Sequence, residues 1–402
     1  MNLNKCHSDL IALLSNSILS SEPSTTAKVS NVNSLREGWQ EIYSQSTKQG
    51  VHNLIFKTLP KEEQSDQLEL NFSPESDTPS LVKYGVLNIA TVAPPYDICR
   101  KWEQDIEENK VMFNKQKVVI CELVKYLKEK DIKILLLSSI AISRLYPDPS
   151  ARFCGDVDLY LFKDYDIGIK LIERLGITVD RVNSGFCRFI FRGVNIRFHK
   201  SFLFSQFRNR PYTKLDKRIS KELISMLKEE YISVKGDDGV LIDVPGPNFM
   251  ALYIIRYTVL HFLEYGLFLR HLCDLILFFQ RNSDRIDFIK LEKILREYKQ
   301  YKLFCSIIEI CKVYLGFKPD FATKEYPRLT KRVLEDIFLN RYRVTERKKI
   351  KNMHRAGRYL LDIKYLLSSG WKYRAIDPLL YMKVLPYKTL ARVVDLKAFF
   401  GL

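Results

Sequence analysis

No two cysteines in this sequence form a CxxC pair, no two histidines form HExxH, and no apolar run is long enough to span a bilayer. The eight cysteines, Cys6, Cys99, Cys121, Cys154, Cys187, Cys273, Cys305 and Cys311, are scattered. Most sit inside apolar periodic segments, where cysteine behaves as a small hydrophobe. This fits a reducing cytosol better than a disulfide framework or a zinc site. The most apolar stretch, Phe249 to Leu263, is interrupted by Arg256 and His261 and is too short and too polar to cross a membrane. The N-terminus lacks a basic segment followed by a clean apolar run, so it does not read as a secretory signal. The expectation is a soluble, cytoplasmic protein. Repeats are absent, and so are the RRM, KH and zinc-finger signatures, which disfavours nucleic acid as a partner. Acids are few beside bases, 47 against 64, for a net charge of +17 and a pI of about 9.3. That surplus favours polyanionic partners such as nucleotide phosphates or an anionic membrane face, or serves solubility alone.

What the sequence does have is core-forming material. Of 402 residues, 46% are hydrophobic and 12% aromatic, enough for two or three structural units. Residues 1–60 read as largely helical, with Leu10, Leu13, Leu14 and Ile18 on one face and a Ser/Thr-rich break at Ser20–Ser30. Lys61–Ser80 reads as a polar insertion with a short strand at Leu68–Phe72. A helix opens after Pro94–Pro95 with the stripe Ile98, Trp102, Ile106, then Phe113, Val118, Leu123 and Leu127. Its length predicts one break.

The period then changes. Ile132–Leu137 reads as a buried strand, Ser138–Ser139 as a turn and Ile140–Tyr146 as a short helix. Asp156–Phe162 is a second strand, and Asp164 caps a helix to Leu175 whose apolar members include Ile167. Phe186–Phe191 and Val194–Phe198 form a hairpin across Arg192–Gly193. After residue 213 the chain reads as helices, at 214–228, 248–264, 267–281, 286–298, 300–315, 329–341 and 351–369, with an extended piece at Val240–Val244. The fold class is α+β, a small mixed-sheet α/β core with N-terminal helices and a large C-terminal helical region. Three units follow: 1–130, helical with the insertion; 131–213, the α/β core; 214–402, helical and basic.

Within the core, Asp156 and Asp158 stand two apart at a strand start and therefore share a face. Neighbouring carboxylates repel unless something positive lies between them. Mg²⁺ bound with a nucleotide's phosphates is the usual partner of so few protein carboxylates. A strand entered from a polar turn, with both aspartates solvated, explains the same spacing.

The run Leu135–Leu159, including Ser138-Ser139, Leu145-Tyr146-Pro147, Arg152 and Gly155-Asp156-Val157-Asp158-Leu159, resembles the core of a bacterial nucleotidyltransferase-like family often linked to surface-polysaccharide gene clusters, within the polymerase-β-type superfamily. His199, His261, the Gly266–Asp274 segment, Trp39 and the Gly50–Leu59 region are similar to its outlying parts. The resemblance implies a metal-dependent transfer of a nucleoside monophosphate from an NTP to a hydroxyl or phosphate acceptor, such as a glycan precursor. It implies Asp156 and Asp158 as ligands of Mg²⁺ (or Mn²⁺), Ser138, Ser139 and Arg152 on phosphates, and His199 orienting substrate or a metal-bound water.

Two positions depart from the pattern. Ser138–Ser139 replaces the family's Lys-Gly, and Arg197 stands where a third carboxylate is expected. Arginine cannot bind Mg²⁺ or act as a base at neutral pH. A second reading follows, of a catalytically silent protein that keeps the fold and binds a nucleotide or partner; a third is an RNA-modifying relative. Asp243 is the acid that could replace the missing ligand. Arg270 and Asp274, four apart, suit a helical ion pair. The basic run at Arg347–Lys351, with Lys383, Lys388 and Arg392, is either a solvated face or a peripheral contact with anionic membrane.

Overall fold

The computed structural model describes residues 5–19, 35–56, 59, 94–137, 139–181, 185–202, 210–236, 238–264, 266–339 and 369–377. The break at Ser20–Ser30, the strand expected at Leu68–Phe72 and the basic residues 347–351, 383, 388 and 392 lie outside them.

Apolar residues at helical spacing build α1 (Lys5–Leu19), α2 (Leu35–Gln49) and α3 (His52–Phe56), which bury Leu10, Leu14, Trp39 and Ile55. The next helix, α4 (Tyr96–Lys128), runs 33 residues without the expected break, about 50 Å at 1.5 Å per residue. It contains no glycine or proline to interrupt it. Each end has its own core: Ile98 and Trp102 enter one, Phe113, Ile120, Leu123 and Leu127 the other. Val118, expected in the stripe, is exposed, and Val119 and Ile120 turn inward instead.

A four-stranded sheet follows from β1 (Leu135–Leu136), β2 (Val157–Tyr160), β3 (Phe186–Phe191) and β4 (Val194–His199), in the order β1-β2-β4-β3. β1 and β3 pair antiparallel with their neighbours, while β2 and β4 are parallel. Between β1 and β2 lie α5 (Ser139–Ser143) and a 3₁₀ turn, Pro149–Ala151, closed by the Asp148 carboxylate accepting from Ser150 N–H at 2.9 Å. After β2 the chain turns at Phe162, with φ of 51°, into α6 (Tyr165–Arg174). Asp164 stands at its start, but its side chain makes no capping bond. Ile167 points to solvent.

The sheet divides two cores. Val157, Leu159, Ile196 and Phe198 face α4 and α6 on one side. On the other, Leu135, Leu137 and Tyr160 join the helical core. That core is made by α7 (Arg210–Glu229), α8 (Pro247–Glu264), α9 (Leu269–Asn282), α10 (Phe288–Glu297), α11 (Tyr301–Leu315) and α12 (Pro327–Leu339), together with α1–α3. Between α7 and α8 the chain makes a separate antiparallel pair, β5 (Tyr231–Lys235) with β6 (Leu241–Pro245). Sequence periodicity anticipated only the second of these. β5 is exposed on one face and half-buried on the other, so it has no fully buried residue to mark it. Residues 369–376 are helical and return to α12, where the buried Lys372 ammonium lies 2.7 Å from Asp336. The architecture is α+β. Among the described residues no helix is long and apolar enough to cross a membrane.

Candidate functional site

Alternation along β2 and β4 places Asp158, Arg197 and His199 on the sheet face that looks toward the helical core. In the parallel register Asp158 stands opposite Arg197, and Tyr160 opposite His199. Arg197 Nη2 donates to Asp158 Oδ2 at 2.9 Å. Its Nε lies 2.7 Å from Oδ1, an ion-pair contact that falls off the hydrogen-bond direction. His199 Nε2 also meets Oδ1, at 2.7 Å, and its ring stacks on Phe186. Asp156, on the approach to β2, has Oδ2 3.4 Å from Arg197 Nε and is 38% exposed, against 13% for Asp158. A single guanidinium therefore spans both aspartates.

The electrostatics follow from that contact. Burial alone would raise the Asp158 pKa, but Arg197 and the His199 hydrogen bond outweigh it and hold the carboxyl below the usual range. Burial works against the Arg197 charge as well. Asp158 and then Asp156 overcome it, so the guanidinium stays firmly protonated.

A second ion pair builds the adjoining wall. Arg152 Nε and Nη2 donate to the two oxygens of Asp274 on α9, each at 2.7 Å, and Tyr146 Oη donates to Oδ1 at 2.7 Å. All three are buried. The bidentate fork of Arg152 is thus engaged within the protein. Asp274 pairs with Arg152 across the fold, not with Arg270 one turn before it. Arg270 lies in the first turn of α9, with its guanidinium over the Phe268 ring at 5.2 Å. Its side chain packs on Gly50, where φ is 69° and an added Cβ would stand 2.9 Å from Arg270 Cδ. Among the described residues no carboxylate pairs with it.

These side chains enclose a cavity of about 140 Å³ between the sheet and α8–α9, lined also by Tyr253, Tyr257 and Thr258. A groove of about 630 Å³ along β3 and β4 shares Asp156 and Arg197 with it. Ser138 lies outside the described residues, and Ser139 is at the start of α5. Of the site residues expected from sequence, Arg152, Asp156 and Asp158 line the cavity, while His199 touches it through Asp158.

Sequence reasoning missed Gln116 and the two tyrosines. Gln116 is buried on α4 and donates to the Gly155 carbonyl at 2.7 Å, pinning the residue before Asp156. The visible signal was one polar residue within the apolar stripe between Phe113 and Ile120. Tyr253 and Tyr257 read as core, because α8 is apolar around most of its circumference.

The donor set was tested against the expected metal. Mg²⁺ takes near-octahedral oxygen ligands and Mn²⁺ suits the same donors. Here both oxygens of Asp158 face cationic or hydrogen-bonding nitrogen, and Arg197, at the position where the sequence resemblance led to the expectation of a third carboxylate, offers no ligand. Asp243 is on β6, where it accepts from Ser233 Oγ at 2.6 Å. Among the described residues no group of three His, Cys, Asp or Glu could hold a metal ion. The residues as arranged do not fit Mg²⁺ or Mn²⁺.

The family model described as "Uncharacterised nucleotidyltransferase" matches residues 36–316, well over half of the chain. No curated protein matches. A crystal structure of an antigenic nucleotidyltransferase-like protein from Paracoccidioides brasiliensis aligns with 51% of this chain and 94% of its own at 14% identity. Its TM-score is 0.31, too low to bear on function.

Proposed function

This chain belongs to the uncharacterised nucleotidyltransferase family, and we infer that it binds the phosphate end of a nucleotide without metal-dependent transfer. One observation carries the reading: the Arg197 guanidinium sits between Asp156 and Asp158, where the family's chemistry calls for a cation and a third carboxylate. A fixed positive charge neutralises the acid pair as a metal does, but it offers no open coordination position for a triphosphate or an attacking hydroxyl.

Arg270 supports the binding half of the proposal. It lines the cavity and has no carboxylate partner among the described residues. A guanidinium in that state suits a phosphate oxygen. The cavity, about 140 Å³, is smaller than the roughly 300–1,000 Å³ of pockets that hold whole ligands. It suits a phosphate group, with the sugar and base extending into the adjoining groove.

Metal-dependent transfer to a hydroxyl or phosphate acceptor is the second reading. It is favoured by the exposure of Asp156, whose contact with Arg197 is the looser of the two. Equilibrium dialysis with each NTP, with Mg²⁺, Mn²⁺ or EDTA, decides between them when pyrophosphate release is followed in parallel. The first reading expects binding that survives EDTA and no pyrophosphate in any condition. Metal-dependent pyrophosphate release that disappears in Asp156→Asn and Asp158→Asn would replace it with the second.

A further inference from the structure

A second cavity, of about 280 Å³, lies between α4, α5 and the β5–β6 hairpin and shares no lining residue with the charged one. Its floor is buried hydrocarbon, from Ile120, Leu136, Ile140 and Ile242. Its exposed lining residues are Arg144 and Lys235. Burial therefore sorts the lining, with apolar side chains in depth, Arg144 and Lys235 at the mouth, and the half-buried Lys117 over the Phe113 ring at 5.5 Å. Among the described residues no carboxylate lines the cavity. Among the described residues none pairs with Arg144 or Lys235. Asp238, in the turn between β5 and β6, is engaged by the Val240 N–H at 3.2 Å and by the Cys121 thiol.

Water is a poor occupant of such a space. The volume corresponds to about nine waters at roughly 30 Å³ each, and a buried water needs two to four polar partners. The floor offers few. An occupant with a short apolar body and an anionic head matches both halves of the lining. The hydrocarbon would leave water at roughly 25 cal/mol per Å², and the head would meet two exposed cations with no carboxylate partner among the described residues. The size bounds the body at about nine water-sized groups.

We propose that this cavity binds a small amphiphilic anion, an alkyl chain of about eight carbons or its equivalent bearing a phosphate head, with the head between Arg144 and Lys235. This cavity and the charged one lie on either side of the β1–α5 segment. Leu136 and Ile140 face this cavity, while Leu137 and Ile142 of the same β1–α5 segment line the charged cavity.

Octyl phosphate below its micelle concentration is the probe, titrated calorimetrically into the full chain. The expected result is saturable one-to-one binding, with inorganic phosphate and octanol each at least tenfold weaker. Arg144→Gln/Lys235→Gln, two surface changes, weakens binding tenfold or more while circular dichroism and Tm stay as in the parent. Ala141→Leu, which fills the cavity from α5, does the same. Co-sedimentation with anionic phospholipid vesicles separates the sources. Sedimentation lost in the same variants identifies a lipid headgroup, and no sedimentation identifies a free amphiphile. Failure of octyl phosphate to bind overturns the proposal, as does equal binding by the parent and the Arg144/Lys235 variant.

Discussion

Asp158 and Arg197 face each other across the parallel β2–β4 pair, with Nη2 on Oδ2 at 2.9 Å and Nε 2.7 Å from Oδ1. The geometry is set by register, since side chains opposite each other on one face are within reach whatever their charge. One substitution at a strand position therefore turns an acid cluster into a neutralised pair.

The first prediction tests that statement. Arg197→Asp places three carboxylates together with no cation between them. Without metal this variant is expected to lose about 3–5 kcal/mol, the usual cost of leaving a buried charge unpaired. With Mg²⁺ or Mn²⁺ at 100 times its Kd, about 2.7 kcal/mol should return. The parent chain should show no metal-dependent change in Tm. Thermal unfolding of both proteins, with and without each metal, is the measurement. A parent stabilised by Mg²⁺ would contradict the neutralised-pair assignment.

The second concerns acid. Asp158 has a folded pKa below its usual value, so its ionised form stabilises the fold above the unfolded value of about 3.9. That contribution is lost as pH falls through the lower, folded value. Asp158→Asn removes it at every pH. Urea unfolding from pH 7 to pH 2.5 should show the parent well above the variant at neutral pH. The gap should close below about pH 4. A gap constant to pH 2.5 would mean that the carboxylate charge is not what stabilises this contact.

The third concerns the Arg152–Asp274 wall. Asp274→Asn leaves a buried guanidinium half-satisfied and is expected to cost about 3–5 kcal/mol. Arg152→Met with Asp274→Leu removes both charges and should recover most of it. Tyr146→Phe should cost about 1–2 kcal/mol, the loss of one hydrogen bond to a charged group. Denaturant midpoints at unchanged m-value report all three. Additive single and double losses would show that the two charges are not coupled.

The fourth concerns Arg270. Arg270→Gln should weaken pyrophosphate binding about tenfold or more, as expected for a charge-assisted contact of about 1.5–3 kcal/mol. Gly50→Ala should weaken it as well, although Gly50 need not touch the ligand. Alanine is strained at a φ of 69° and its Cβ would press on Arg270 Cδ. Fluorescence competition at two ionic strengths is the assay. Wild-type affinity in both variants would remove Arg270 from the anion site.

Much of the α/β core was legible from local pattern. The period change after residue 131, the apolar runs of β2, β3 and β4, and the Arg192–Gly193 turn all declared themselves within a few residues. The unbroken α4 was not legible, because its middle is polar on nearly every side and only the two cores at its ends keep it one helix. β5 was missed for want of any fully buried residue. The candidate site was half legible. Asp156 and Asp158 stand two apart in sequence, and Arg197 was conspicuous as the wrong charge in a strand. Gln116, Tyr253 and Tyr257 reach the site from helices in which they look like core or surface.

Asp156 and Asp158 share a face because backbone alternation demands it, and Arg197 and His199 share theirs for the same reason. Those facts depend on neighbours in the chain, and the sequence by itself determined them. That Arg197 lies on Asp158, that Arg152 is engaged by Asp274 and that Arg270 has no carboxylate partner among the described residues were decided only by the tertiary structure. Each depends on strand register or on the approach of two elements separated in sequence. A charge's role is set by the charges around it, and in this protein those come from parts of the chain 39 and 122 residues away.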